Sequence, residues 1–311
     1  MKQDRISLKD FGLVLIVVIL WGLNFIAMKI GLSGFPPFFL VAMRFGFVFF
    51  PACLWIKRPK VPLKYLFWYS FFLGVGQYSF MFTALMMGMP AGIASVLLQS
   101  QVIFSLILAA LLLEEKITSI QVLGIMISVF GVLFLGGVFD QDTTLPFVPF
   151  ILMILAAISF GTSNVRYRMI VDYNNKRGET TNSLQILVWS SLFVPIPMFI
   201  ISFVLETPQV VFLAIRQLQA PALLSLLYMV VLSTLIAYGL WGSLIGKYSS
   251  SKIAPFSLLV PLVGVLSAYL VLGESMTQRQ IIGIVITVSG LVFTNLGTMI
   301  IKKIAFRQRK L

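Results

Sequence analysis

The 311-residue sequence has no histidine and a single cysteine, Cys53. That set cannot build an intrachain disulfide, a CxxC pair or a cysteine metal cluster, and it lacks the usual base of a membrane hydrolase. Acidic residues are also few, 10 against 23 Lys and Arg. None falls in the middle of a long apolar run: Glu114, Glu115, Glu206 and Glu274 stand at the ends of such runs, and the other acids lie in loops or near the termini. A proton relay through a buried carboxylate is therefore not expected, nor is capture of cations on a membrane glutamate. The phosphate-binding pattern GxxxxGK[ST] does not occur, so direct use of a nucleotide has no motif. No cofactor and no metal is expected.

Apolar residues take the place of what is missing. The chain is 59% hydrophobic and 11% charged, with a mean hydropathy of +1.02, whereas a soluble domain carries about 25% charged residues. A helix needs roughly 20 predominantly apolar residues to cross the hydrocarbon of a bilayer. Ten such runs fit, near 11–31, 37–56, 65–87, 91–113, 119–138, 146–165, 184–204, 221–245, 253–272 and 280–300. Their length and continuity predict an all-α membrane protein with ten transmembrane helices rather than the alternating strands of a barrel. The first run follows Lys2, Arg5 and Lys9 but ends in WGLNFIAMK, without a small-residue cleavage site, and reads as a helix rather than a secretion signal.

The chain is duplicated. Residues 111–135, LLLEEKITSIQVLGIMISVFGVLFL, match residues 270–294, LVLGESMTQRQIIGIVITVSGLVFT, without a gap at 11 of 25 positions. A weaker match sets Trp21-Gly22, Asn24 and Lys29 against Phe160-Gly161, Ser163 and Arg168. The expected organisation is a first repeat over 1–138, a linker over 139–145, and a second repeat over 146–311 with a basic tail. Five spans is an odd number, so the two copies insert upside down relative to each other, as two inverted five-helix repeats. That architecture belongs to carriers.

Charge sets the expected orientation. With ten spans, 19 of the 23 Lys and Arg fall on the face that holds both termini, which predicts a multi-pass protein of the bacterial inner membrane with both termini cytoplasmic. The net charge of +13 then reflects topology and attraction to anionic lipid, with no nucleic-acid partner. Two connections exceed a turn. Residues 172–182 read as a solvated cytoplasmic loop, and residues 206–221 as a helix lying in the outer interface, with Thr207 as N-cap and Pro208 in the first turn.

Inside the spans, Arg44 is the outstanding residue, because a charge there needs a partner or a wet cavity. It either bonds backbone carbonyls and ties helices together or attracts a substrate carboxylate, and Lys29, nearer a span end, reads as snorkelling. The neutral polar residues Asn24, Gln77, Tyr78, Gln99, Gln101, Ser163, Asn164, Trp189, Tyr228, Tyr238, Trp241 and Ser257 suit either a zwitterionic ligand or interhelical hydrogen bonds. Gln99 and Gln101 flank one another, so at least one is expected at a cavity or kink. Gly242 and Gly246 form a GxxxG pattern expected to pack closely, and Pro255 and Pro261 are expected to bend their span.

The stretches WGLNF (21–25), PKVPL (59–63), GMPAGIASVLLQSQ (88–101), VWSSLFVPIPMF (188–199) and YGLWGSLIGKYSSSKIAPFSLLVPLVG (238–264), with the pair EKITSIQVLGI and ESMTQRQIIGI, resemble the EamA-type family of the drug/metabolite transporter superfamily. The resemblance runs from about residue 11 to 296 and is nearest to bacterial exporters of O-acetylserine and cysteine. It implies a central cavity to which Asn24, Met28, Tyr78, Gln99, Gln101, Asn164, Tyr238, Trp241 and Ser257 contribute, with Arg44 and Gln77 added from their own chemistry. The expected function is export of small amino acids and derivatives by alternating access, with a small-molecule substrate and the bilayer as partners and oligomeric state left open. The alternatives are a carrier for aromatic amino acids, purines or drugs, and a membrane enzyme or lipid-handling scaffold. Green fluorescent protein fused to the C-terminus is expected to fluoresce and alkaline phosphatase fused there to stay inactive. The opposite pattern would reverse the topology.

Overall fold

The computed structural model describes residues 6–115, 117–136, 145–248 and 250–308, with side chains at most positions up to 295. Most of the expected linker and the basic tail's side chains lie outside the described residues. Among the described residues all regular structure is helical. The chain forms α1 (Leu8–Gly31), α2 (Pro37–Phe49), and α3, in which Leu63–Ser70, a π-helical Phe71–Gln77 and Tyr78–Met86 run on without a break. Next come α4 (Ala91–Leu113), α5 (Ser119–Leu135), α6 (Phe147–Lys176) and α7 (Ser183–Leu205). The remainder are α8 (Pro208–Arg216), α9 (Ala220–Tyr248) and α10, made of Ser250–Ile253, a 3-10 stretch Ala254–Leu259 and Val260–Leu272; α11 (Gln278–Gln308) ends the chain. Seven helical stretches are long and apolar enough to cross a membrane. The other three expected runs are the helices α3, α5 and α11, of which α5 has 17 residues.

The outside of the bundle is apolar and its inside carries the polar groups, as a bilayer solvent demands. Met126, Phe130, Ile196, Ile200, Val204, Leu266, Ile282 and Val285 are exposed, while Arg44, Gln77, Ser128, Ser163, Thr234 and Thr287 are buried.

The two copies of the duplicated stretch pack directly against each other as α5 and α11. A Cβ on Gly131 would stand 2.5 Å from the Thr287 amide, one on Gly124 2.5 Å from the Thr294 amide, and one on Gly290 2.4 Å from the Ser128 amide. Going up α5 from Gly124 to Ser128 to Gly131, the partner on α11 goes down from Thr294 to Gly290 to Thr287, so the copies run antiparallel. Exchanging the copies turns each contact into another contact of the same seam. The weaker match behaves alike: Gly22 of α1 abuts Val263 and Gly264 of α10, and its counterpart Gly161 of α6 abuts Phe104 and Ser105 of α4.

Three expectations change. The loop expected over 172–182 is helical to Lys176, because α6 continues past the apolar run; Asn174 near its end donates to Thr181 Oγ1 at 3.0 Å. The α8 helix forms where expected, but Thr207 does not cap it: its φ is +63° and its side chain makes no cap hydrogen bond. Gly246 faces open space, with nothing within 4 Å of an added Cβ, so the GxxxG of α9 is not a packing face at that end.

At the face away from the N-terminus, carboxylates supply the missing caps. Both α2 and α4 open after a proline with no side-chain cap of their own. Glu206 accepts from the Phe38 and Phe39 amides at 2.6 and 3.1 Å, and Glu274 from Ala91 and Gly92 at 2.9 and 3.1 Å. A carboxylate at a helix N-terminus satisfies orphan N–H groups and meets the positive end of the dipole. Lys29 reaches the Met89 carbonyl at 3.2 Å on the same side, which is a backbone bond rather than free snorkelling.

Gly131→Leu should lower the thermal midpoint by several degrees or abolish folded yield, since overpacking costs about 1–3 kcal/mol or more. Gly246→Ala should leave both unchanged. Equal behaviour of the two variants in detergent-solubilised unfolding would refute the seam.

Candidate functional site

Helices α4 and α10 are both interrupted, at places related by the duplication. The α4 helix stops at Leu98 and resumes at Gln101, while α10 passes through its 3-10 stretch at Ala254–Leu259. The prolines Pro255 and Pro261 explain α10, because each lacks an N–H for the helix ladder. No proline explains α4; its break is bridged by backbone bonds of the tighter i→i+3 kind, from the Gln99 amide to the Val96 carbonyl and from the Ser100 amide to the Leu97 carbonyl, each at 3.0 Å. Gln99 caps the first half, and its Nε2 donates to the Ser257 carbonyl in the α10 break at 2.9 Å. The two interruptions therefore bond to each other.

An aromatic group stands between this junction and the N-terminal face. The Trp21 ring lies 5.2 Å from Tyr238 and 5.0 Å from Trp241, and its Nε1 donates to the Ser233 carbonyl at 3.1 Å. Phe256, next to Ser257, packs in the same cluster as Trp241. Access declines along α1: Trp21 is half-buried, Asn24 is 7% exposed and Met28 is fully buried.

Arg44 is 2% exposed. Its guanidinium carbon lies 4.6 Å from the centre of the Tyr78 ring, and Nη2 donates to Thr234 Oγ1 at 3.1 Å. Nη1 has no partner, and neither do the buried Asn24 Oδ1 and Gln77 Oε1. Counted along their helices at 1.5 Å per residue, Asn24, Arg44, Gln77 and Gln99 all lie about 10–14 Å below the ends at the face away from the N-terminus. A buried cation at such a depth costs from about 2.5 to over 10 kcal/mol; a desolvated cation–π contact returns roughly 2 kcal/mol.

The remaining candidates have hydrogen-bond partners of their own. Asn164 Nδ2 donates to Gln101 Oε1 and, at 3.2 Å, to Ser105 Oγ, which ties α6 to α4. Ser163 bonds the Phe160 carbonyl of its own helix, Trp189 the Ile56 carbonyl at 2.8 Å and Tyr228 the Leu20 carbonyl at 2.8 Å. These contacts are interhelical or local ties. Sequence reasoning missed Thr234, whose position depends on a π-helical segment that a 3.6-residue period does not reveal. It also passed over Trp21 as a site residue, although Trp21 stands one turn from Asn24.

A second group sits at the N-terminal face. Asp10 accepts from Lys247, from the Tyr248 hydroxyl and from Ser7 Oγ, joining the start of α1 to the end of α9. Half-exposed Arg168 and Glu115 pair at 2.8 Å. A cleft of about 810 Å³ lies at the other face, between α8 and residues 32–38. Neither Gln99 nor Ser257 lines it, and its carboxylate, Glu206, is occupied by backbone amides.

The model of the EamA-like transporter family matches residues 10–137 and 148–296. The chain is similar to a probable amino-acid metabolite efflux pump of Escherichia coli, 36% identical over 291 residues, covering 94% of this chain and 96% of that protein. A protein of the same description from Salmonella typhimurium is 37% identical over 291 residues, with the same coverage. An uncharacterized transporter of Bacillus subtilis is 25% identical over 300 residues, covering 94% and 98%. A chain of known crystal structure superposes with a TM-score of 0.59 at 17% identity over 93% of this chain and 96% of its own, a likeness of fold.

Asn164→Ala should lower stability by about 1 kcal/mol, as for a lost interhelical hydrogen bond, and Gln101→Ala should add little to it in a double-mutant cycle. Additive losses in thermal unfolding would mean the two side chains do not act as one tie.

Proposed function

This chain belongs to the EamA-like transporter family, and we propose that it exports small amino acids and their derivatives, of the cysteine and O-acetylserine type. It is a multi-pass membrane transporter and not an enzyme. The observation that carries the cargo reading is the set of buried atoms without partners. Arg44 Nη1 is a cationic donor, while Asn24 Oδ1 and Gln77 Oε1 are amide acceptors. That combination complements a carboxylate and an ammonium held on one small molecule. Relatives described as amino-acid metabolite efflux pumps support the same class.

Transport proceeds by alternating access across ten spans arranged as two inverted five-helix repeats, with both termini on the cytoplasmic side of the inner membrane. The antiparallel α5–α11 seam and the repeat-related breaks in α4 and α10 support this reading, since broken helices at corresponding places mark a carrier's site. Cargo enters from the N-terminal face past Trp21, Tyr238 and Trp241, which pack its side chain. It then meets Gln99 at the junction of the two breaks, and Gln99 exchanges its bond to the Ser257 carbonyl for one to the cargo. Closure at the other face is held by Glu206 and Glu274 on their helix N-termini until the bundle rocks.

The aromatic group favours one second reading, a carrier for aromatic amino acids, because Trp21 with two further rings 5.0 and 5.2 Å from it offers more flat surface than a cysteine side chain needs.

Proteoliposomes loaded with labelled cysteine or O-acetylserine should show protein-dependent efflux. Gln99→Ala should slow it by roughly tenfold or more, the loss of one buried polar contact. Stronger competition by phenylalanine or tryptophan than by serine would move the assignment to the second reading, and no efflux of any amino acid would sink both.

A further inference from the structure

Arg44 is a buried cation without an ion partner. The ion pairs among the described residues are Lys60–Glu179, Arg168–Glu115 and Lys247–Asp10, and none involves it. Its neighbours are placed by two backbone irregularities that the duplication relates. Tyr78, whose ring lies under the guanidinium, directly follows the π-helical Phe71–Gln77 of α3. Thr234, which accepts from Nη2, lies within the π-helical Tyr228–Ile236 of α9. The Thr234 hydroxyl donates at 2.7 Å to the Met229 carbonyl five residues back, so its lone pairs are turned toward Arg44. Such π-helical turns are uncommon and concentrate at functional sites. Here both serve the same guanidinium, and they leave its Nη1 free.

We propose that Arg44 is an anion site in its own right. It holds a small monovalent anion, a halide or a simple carboxylate, while the carrier is empty, and the cargo's carboxylate displaces that anion. A spherical or planar anion needs only the free Nη1 and the charge behind it. The amide oxygens of Asn24 and Gln77 are acceptors and would not contact it. The resident anion removes the cost of an unpaired charge during the empty half of the transport cycle. The displacement half of the proposal rests on the amino-acid reading; the anion site does not.

The test follows thermal unfolding of the detergent-purified protein by tryptophan fluorescence at constant ionic strength, replacing sodium gluconate stepwise with sodium chloride or sodium formate. A ligand that binds only the folded state raises the midpoint in a saturable way. Chloride and formate are expected to do so, and gluconate, too bulky for the site, is not. Arg44→Gln should unfold cooperatively with a flat response, while Arg44→Lys should keep a weaker saturable one. If Arg44→Gln gives no folded protein, Thr234→Val serves instead, with an expected chloride affinity several-fold below that of the wild type.

Equal wild-type midpoints in all three salts, a chloride response that survives Arg44→Gln, or an affinity unchanged by Thr234→Val would overturn the site. In proteoliposomes, chloride on the cargo side should raise the KM for amino-acid efflux without changing kcat. An unchanged KM alongside an intact chloride response would overturn displacement. A chloride response without any amino-acid efflux would overturn the cargo reading and leave the site standing.

Discussion

Hydrocarbon offers a polypeptide no hydrogen bonds, so a helix within it is interrupted only where the freed backbone groups find partners. Here α4 and α10 are interrupted at repeat-related places, and the bond from Gln99 Nε2 to the Ser257 carbonyl joins the two breaks. Close helix packing supports that junction from both sides. The α1 helix passes close by, with Gly22 against Val263 and Gly264 just beyond the α10 break. The α6 helix does the same for α4 through Gly161. Bulky side chains at either glycine would hold these helices away from the interruptions they cover.

Duplication gives matching backbone to both halves, and divergence of side chains makes them unequal. Glu274 docks on two backbone amides at the start of α4, whereas its counterpart Glu115 pairs with Arg168 at the other face. The break in α10 has prolines and that in α4 has none, and the Gln99 side chain of α4 bonds a carbonyl within the α10 break. The two π-helical segments converge on Arg44, yet Arg44 itself belongs to the first half alone. A pseudo-symmetric frame thereby carries an asymmetric set of buried polar groups.

The parts of the fold that obey a period were legible in advance. The apolar runs marked helices, and the repeat marked two copies of opposite orientation, though not that α5 and α11 would pack on each other. What escaped depends on departures from period or on partners distant in sequence. Thr234 is aimed by a π-helical segment, and nothing in its neighbours announces one. Gln101 and Asn164 were named as candidates one by one, and that they bond to each other, 63 positions apart, is visible only in the structure. Thr207 has the residue type of a cap but a backbone with positive φ, and α6 runs beyond its apolar stretch because helical hydrogen bonding does not end where hydrophobicity does. Arg44 was conspicuous from cost alone, but only its burial and its unpaired Nη1 distinguish a site from a tie.

The two faces are secured by different chemistry. Away from the N-terminus, Glu206 and Glu274 hold four backbone amides, charge-assisted bonds worth about 1.5–3 kcal/mol each where buried. At the N-terminal face, Asp10 gathers Ser7, Lys247 and Tyr248 into one cluster between α1 and α9. A carrier works only if its two closed forms lie within a few kcal/mol of each other, so that cargo binding tips the balance. Carboxylates on backbone amides suit that need, because a rigid-body tilt breaks several bonds together and water replaces them at once. The Asp10 cluster instead joins the start of α1 to the end of α9 through side chains alone. The acids that the apolar spans exclude from their middles are used at their ends, where they hold backbone amides or join one helix to another.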